Sequence, residues 1–130
     1  MKITIVGTGY VGLVSGTCFA EFGVNVVCVD NDEEKIKNLK NGIIPIFEPG
    51  LKDLVKKNLK EKRLFFQTNL SQSLEDSAAI FIAVGTPSRR GDGHADLSYV
   101  YSAARDIARN LNKYAVIAVS YTHLTLPTTW

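Results

Sequence analysis

The chain has 130 residues, of which 45% are hydrophobic and 22% are charged, a composition typical of one globular domain with one core. Its formal net charge of +2 is too small to favour a nucleic-acid or membrane-surface partner, and no apolar run approaches the ~20 residues that cross a bilayer. We therefore expect binding to neither nucleic acid nor a membrane.

Strands and helices alternate through the first half of the chain. The predicted elements are a strand at 2–6, a helix at 11–22 that Gly23 ends, a strand at 24–30, and a helix from Asn31 or Asp32 to about Lys40. The apolar or small residues with helical spacing in the first helix are Val11, Val14, Ser15, Cys18 and Phe22.

The second half continues the same alternation after a loop rich in proline and glycine at 42–50. The predicted elements are a helix at 51–60, a strand at 64–68, a helical turn or two at 71–76, a buried strand at 78–85, a loop at 86–96, a helix, and a strand at 114–119. The inward face of the last helix is predicted at Leu97, Val100, Tyr101, Ala104, Ile107, Ala108 and Leu111. This rhythm predicts a single Rossmann-like, doubly wound α/β domain, with a parallel sheet of order 3-2-1-4-5 covered on both faces.

A glycine-rich stretch, GTGYVG at 7–12, follows the first strand. Gly7 would allow a tight turn, Gly9 would leave room for a pyrophosphate, and Gly12 would let the helix pack closely on the strands. The helix that begins near Tyr10 or Val11 would then direct its free N–H groups at the phosphates. An ordinary glycine turn is the alternative, but the position between a strand and a helix favours dinucleotide binding.

An acidic residue ends the second strand. Asp30 lies 18 residues beyond Gly12, near the ~20-residue spacing expected of a ribose-binding carboxylate. Its charge would repel a 2′-phosphate, and Asn31 and Asp32 supply no arginine to receive one, so the sequence favours NAD over NADP. Asp30 could also cap the next helix, and the two roles are compatible.

Several longer stretches resemble the NAD-binding part of the UDP-glucose/GDP-mannose dehydrogenase family. The matching stretches are MKITIVGTGYVGLVSGTCFAEFG, VVCVDND, KIKNLKNGIIPIFEPGL, IFIAVGTP and GHADLSYV, and they span residues 1 to about 119. The EPGL and VGTP motifs are more specific than the glycine loop. The resemblance implies cofactor contacts at Gly7, Thr8, Gly9, Tyr10, Val11, Gly12, Asp30, Lys35 and Thr86.

The resemblance also implies an activity. Members of the family oxidise the 6-hydroxymethyl group of a nucleotide sugar such as UDP-glucose to a carboxylate, with two NAD and one water. Their catalytic cysteine and sugar pocket come from later segments, so we assign no catalytic residue in this chain and expect no catalysis by it alone. The sequence leaves open whether the protein forms a homo-oligomer.

Three residues near the predicted site keep two interpretations each. Lys35 could reach the adenosine side or be a solvated surface lysine. Glu48 could brace the cofactor cleft, but a cap on the helix that starts at Leu51 is favoured. Tyr10 could face the nicotinamide or simply pack.

Two further expectations concern the cysteines and the tail. Cys18 and Cys28 lie in apolar stretches without metal-ligand spacing, so buried free thiols, no metal site and a reducing, cytoplasmic setting are favoured over a disulfide. Residues 120–130 (SYTHLTLPTTW) depart from the family pattern, so we predict a domain at 1–119 and an atypical tail.

Two other functions share the glycine loop. One is the NAD domain of a hydroxyacid or sugar-phosphate dehydrogenase, which the EPGL and VGTP motifs disfavour. The other is a non-catalytic NAD-sensing module, which the length of the chain would suit and the same motifs oppose.

Overall fold

The structure, a computed structural model, describes residues 1–87, 91, 93–94 and 96–119. Its elements are β1 (Lys2–Val6), α1 (Tyr10–Glu21), β2 (Asn25–Val29), α2 (Glu33–Lys40), α3 (Leu51–Lys60), β3 (Leu64–Gln67), α4 (Leu70–Leu74), β4 (Ala79–Ile82), α5 (Ser98–Asn110) and β5 (Val116–Val119). The strands form one sheet in the order β3-β2-β1-β4-β5, and each neighbouring pair is parallel. The predicted doubly wound fold is therefore confirmed. The predicted tail and part of the predicted loop at 86–96 lie outside the described residues.

The start of α2 shows how a local signal sets an element boundary. Asp32 Oδ1 accepts a hydrogen bond from the backbone N–H of Lys35 at 3.1 Å, so Asp32 rather than Asn31 is the N-cap. Glu33 and Glu34 follow in the first turn, where the helix dipole favours negative charge. This cap fixes the chain directly after Asp30, at the carboxyl end of β2.

Apolar side chains pack on both faces of the sheet. One cluster joins α1, α2 and α3 to β1, β2 and β3, and the other joins α4 and α5 to β4. β1 pairs with β2 on one side and with β4 on the other. The chain therefore reverses its direction of winding at β1, and ligands bind outside the carboxyl ends of the strands at such a switch point.

The buried face of α1 differs from the predicted one. Its buried residues are Gly12, Leu13, Gly16, Thr17 and Ala20, whereas Cys18 is exposed and Phe22 is 84% exposed. Small residues occupy this face because α1 lies close to the sheet: a Cβ added at Gly16 would lie 2.8 Å from Cys28 Sγ. Both cysteines are free, as predicted, but only Cys28 is buried, so the expectation of a buried Cys18 is wrong.

Several residues of α5 and β5 are more exposed to solvent than the sequence predicts. On α5, Ala103 and Ile107 are buried, while Tyr101 and Ala108 of the predicted inward face are exposed. On β5, Val116 and Val119 are 54% and 52% exposed. β5 is an edge strand and pairs only with β4 among the described residues.

Candidate functional site

The turn after β1 brings three backbone segments into direct contact. Gly7 has a φ of +109°, a left-handed conformation that side chains other than glycine rarely adopt. A Cβ added there would lie 2.6 Å from the carbonyl oxygen of Ala83, which follows β4. A Cβ at Gly12 would overlap the carbonyl oxygen of Gly7. Both glycines are thus required by close backbone approach, and they place the start of α1 directly on the turn.

Gly9 differs from these two glycines because the space beside it is open. It is the N-cap of α1, with φ −73° and ψ −167°, and no side chain caps the helix there. A Cβ added at Gly9 would meet no heavy atom of the described chain within 4 Å. The first N–H groups of a helix have no partner inside the helix, so this end of α1 offers donors to an anion.

Asp30 lies beside this helix end, at the carboxyl end of β2. Its Oδ2 accepts hydrogen bonds from the Thr8 hydroxyl at 2.6 Å and from the Thr8 backbone N–H at 3.2 Å. Its Oδ1 accepts a hydrogen bond from the backbone N–H of Asp32 at 3.0 Å. The ammonium group of Lys35 lies 3.7 Å from Oδ2. The carboxylate is therefore fixed relative to the glycine loop.

These contacts keep Asp30 ionised. Burial alone would raise the pKa of Asp30, but the hydrogen bond from the Thr8 side chain, those from the backbone of Asp32 and Thr8, and the charge of Lys35 together outweigh it. The pKa therefore lies below its ordinary value. A carboxylate that stays charged near neutral pH accepts hydrogen bonds from a ribose diol and repels a phosphate in the same place.

An open cleft of about 570 Å³ joins the glycine turn to the end of β2. The predicted cofactor contacts that line this cleft are Gly7, Thr8, Gly9, Asp30 and Lys35. The volume of this cleft lies within the range typical of small-molecule and cofactor sites.

Four residues of the predicted set do not line this cleft. Tyr10, Val11 and Gly12 form the first turn of α1, and Val11 packs against the larger apolar cluster. Thr86 lies in the segment after β4, between Gly85 and Pro87, which do line the cleft. The structure thus brings Thr86 to the correct sheet edge without placing it in the cleft wall.

The far wall of the cleft was missed by sequence reasoning. It comes from one face of α5, with contributions from Thr68 and Leu70 after β3. The lining residues on α5 are Tyr99, Ser102, Ala103 and Asp106. Their spacing of three, four and seven residues is that of a single helix face, which is the signal that could have identified them.

The cysteines lie outside the cleft lining, and the described part of the chain holds no cluster of metal ligands. Burial raises the pKa of the Cys28 thiol to about 12, and neither Cys28 nor Cys18 lines the cleft. Within the described residues, no group of three or more His, Cys, Asp or Glu side chains could hold a metal ion. None of the helices described is long and apolar enough to cross a membrane.

The uncapped start of α1 and the Asp30 carboxylate meet at one edge of a doubly wound sheet. This combination is typical of a dinucleotide-binding domain. The particular family follows from comparison with known proteins. The chain belongs to the UDP-glucose/GDP-mannose dehydrogenase family, whose NAD binding domain matches residues 1–128. The predicted family is confirmed, and the cofactor of this domain is NAD.

Known relatives extend well beyond the length of this chain. A UDP-glucose 6-dehydrogenase from Rhizobium meliloti (strain 1021) is 62% identical over 122 residues, which are 94% of this chain and 28% of the relative. The UDP-glucose 6-dehydrogenase TuaD from Bacillus subtilis (strain 168) is 58% identical over 116 residues, which are 89% of this chain and 25% of the relative. The chain therefore spans about a quarter of these relatives.

A solved structure of the same family has the same fold. The GDP-mannose dehydrogenase from Pseudomonas aeruginosa, determined as a ternary complex, superposes with a TM-score of 0.85 at 36% identity. The match covers 92% of this chain and 28% of that structure's chain. It confirms the doubly wound architecture as that of a dehydrogenase's NAD-binding part.

Proposed function

We propose that this chain is the NAD-binding part of an enzyme that oxidises UDP-glucose to UDP-glucuronate with two NAD. The identity of 62% to a UDP-glucose 6-dehydrogenase over 94% of the chain is the observation that carries this proposal. UDP-glucose is favoured over GDP-mannose as the substrate of the whole protein, since the relatives at 62% and 58% identity are both UDP-glucose 6-dehydrogenases. The EPGL and VGTP motifs support this proposal over the two alternatives drawn from the glycine loop.

The proposed cofactor contacts follow from the geometry of the sheet edge. The N–H groups at the start of α1, around Gly9, would hold the pyrophosphate, and Asp30 would accept a hydrogen bond from the adenosine ribose. Lys35, beside Asp30, would lie against the adenosine. Tyr10, Val11 and Thr86 would be further cofactor contacts, which membership of the family supports. NAD supplies the hydride acceptor, and these residues bind and orient it.

The extent and location of the domain belong to the same proposal. Residues 1–119 would form the domain, because the stretches that match the family pattern end near Val119. Residues 120–130 would lie outside it. A cytoplasmic location is supported by the two free cysteines, which suit a reducing compartment.

Calorimetric titration of the chain with NAD tests the binding part of the proposal, and the expected result is one NAD per chain. The dehydrogenase part is tested with a chimera in which residues 1–119 replace the matching part of the Rhizobium meliloti enzyme. The chimera should release two NADH per UDP-glucose, measured by absorbance at 340 nm. The same chimera with Asp30→Asn should need more NAD for half-maximal rate. A folded chimera that binds UDP-glucose but forms no NADH would contradict the proposal.

A further inference from the structure

The two oxygens of the Asp30 carboxylate accept different numbers of hydrogen bonds. Oδ2 accepts two hydrogen bonds from Thr8, one from its hydroxyl and one from its backbone N–H, and the Lys35 ammonium group lies 3.7 Å from the same oxygen. Oδ1 accepts a single hydrogen bond, from the backbone N–H of Asp32. Oδ1 therefore retains an acceptor position that Oδ2 does not.

Thr8 is placed to act on the carboxylate and not on a ligand. The residue is only 1% exposed, although it borders the cleft. Its hydroxyl lies 2.6 Å from Oδ2, the length of a strong hydrogen bond to an ionised oxygen. Because the buried hydroxyl of Thr8 holds Oδ2 of Asp30, Oδ1 is the carboxylate oxygen that is presented to a ligand.

We propose that Thr8 is a positioning residue for the cofactor: it holds Oδ2 of Asp30 and so leaves Oδ1 as the oxygen that receives the adenosine ribose. The inference rests on the proposed function, because it assigns a role to Thr8 within the NAD site. The ribose is then anchored chiefly through one carboxylate oxygen, and the orientation of that oxygen depends on the side chain before Gly9.

The test compares two buried threonines of the same chain. Thr8→Val removes the hydroxyl and keeps the shape of the side chain, and Thr8→Ser restores the hydroxyl. Thr17→Val is the matched control, since Thr17 is 0% exposed and its hydroxyl donates to the Leu13 carbonyl oxygen at 2.7 Å, away from Asp30. The dissociation constant for NAD is measured by calorimetry from pH 8 down to pH 4.

Thr8→Val should weaken NAD binding roughly tenfold, the effect of losing one hydrogen bond to a charged group. Thr8→Ser and Thr17→Val should bind NAD like the parent. The acid side of the binding profile should also move to higher pH in Thr8→Val alone, because Asp30 loses the donor that most lowers its pKa. Lys35, Asp32 and Asp106, the charged groups beside and across the cleft, are unchanged in every variant.

The possible outcomes separate this inference from the function on which it rests. A parent chain that does not bind NAD overturns both. A parent that binds NAD, with Thr8→Val of equal affinity and equal pH profile, overturns the role of Thr8 alone. If Thr8→Val does not fold, Thr8→Ala replaces it, and the same comparison with Thr8→Ser decides the result.

Discussion

Tyr10 and Glu48, 38 residues apart in the sequence, are joined by a hydrogen bond from Tyr10 Oη to Glu48 Oε2 at 3.3 Å. The contact links the first residue of α1 to the segment that precedes α3. The negative charge of Glu48 and this hydrogen bond raise the pKa of Tyr10. Glu48 does not cap α3, whose N-cap is Gly50 without a side-chain hydrogen bond, so the capping interpretation is wrong.

Replacing Glu48 should therefore change the titration of Tyr10 and leave α3 intact. In Glu48→Gln, the pKa of Tyr10 should fall towards its ordinary value of 10.0, because the negative charge is gone. The measurement is the tyrosinate absorbance between pH 8 and pH 12, with Tyr10→Phe to identify the signal among the five tyrosines. An unchanged tyrosine titration, or a loss of helix by circular dichroism, would contradict the assignment of this contact.

The choice of NAD over NADP should depend on Asp30. We expect the chain to bind NAD more tightly than NADP by about 1–3 kcal/mol, the range for a hydrogen bond to a charged acceptor. In Asp30→Asn the difference should shrink, because the repulsion of a 2′-phosphate disappears and Lys35, 3.7 Å away, loses its anionic partner. Asp106→Asn changes another carboxylate of the same cleft and should keep the preference. Equal affinities of the parent for the two cofactors would show that Asp30 does not select NAD.

Gly9 and Gly12 should respond in opposite ways to the same substitution. Gly9→Val should fold, since the backbone of Gly9 is in an extended conformation and its Cβ position is open, but the added methyl groups would block the pyrophosphate. Gly12→Val should unfold the domain, since its Cβ would overlap the Gly7 carbonyl. Circular dichroism measures folding and calorimetry measures NAD binding. Normal NAD binding by a folded Gly9→Val would mean that the loop is an ordinary turn.

The fold and the near wall of the cleft could be predicted because each depends on local signals. Gly7, Gly9 and Asp30 stand at fixed spacings around two strands, and parallel strands bring their carboxyl ends to one edge. The sheet order followed from the alternation of strands and helices. These signals need no knowledge of side-chain packing, which is why they were sufficient.

The predictions that failed concern packing between elements. Apolar periodicity selected Cys18 and Phe22 for the buried face of α1, whereas the close approach of the sheet required small residues such as Gly16. Likewise, the capping interpretation of Glu48 considered only its own helix, and its partner Tyr10 is distant in sequence. The α5 residues that line the cleft share one helix face, but which face of α5 lies over the sheet edge depends on how the helix packs there.

The exposure of the two cysteines predicts two reaction rates with a thiol reagent. Cys18 is exposed and should react with dithiobis-nitrobenzoate in the folded chain, while the buried Cys28, whose pKa is raised to about 12, should react only on unfolding. Absorbance at 412 nm should thus show one thiol before guanidinium is added and two after. Cys18→Ala should abolish the first phase and keep the second. A rapid reaction of both thiols in the folded chain would disagree with this burial.

Our last prediction is that the chain binds NAD but does not oxidise UDP-glucose by itself. Oxidation of an alcohol to an acid needs a base that takes the hydroxyl proton and a nucleophile that holds the aldehyde. Cys28 cannot supply a thiolate near neutral pH because its pKa is about 12, and Cys18 lies on the exposed face of α1, outside the cleft lining. A bound sugar would also lack the orientation that can lower the barrier by ~7–11 kcal/mol.

Incubation of the chain with NAD and UDP-glucose should therefore give no rise in absorbance at 340 nm, with the chimera described above as the positive control. Sustained NADH formation that Cys18→Ala abolishes would show that a complete catalytic site exists within these 130 residues.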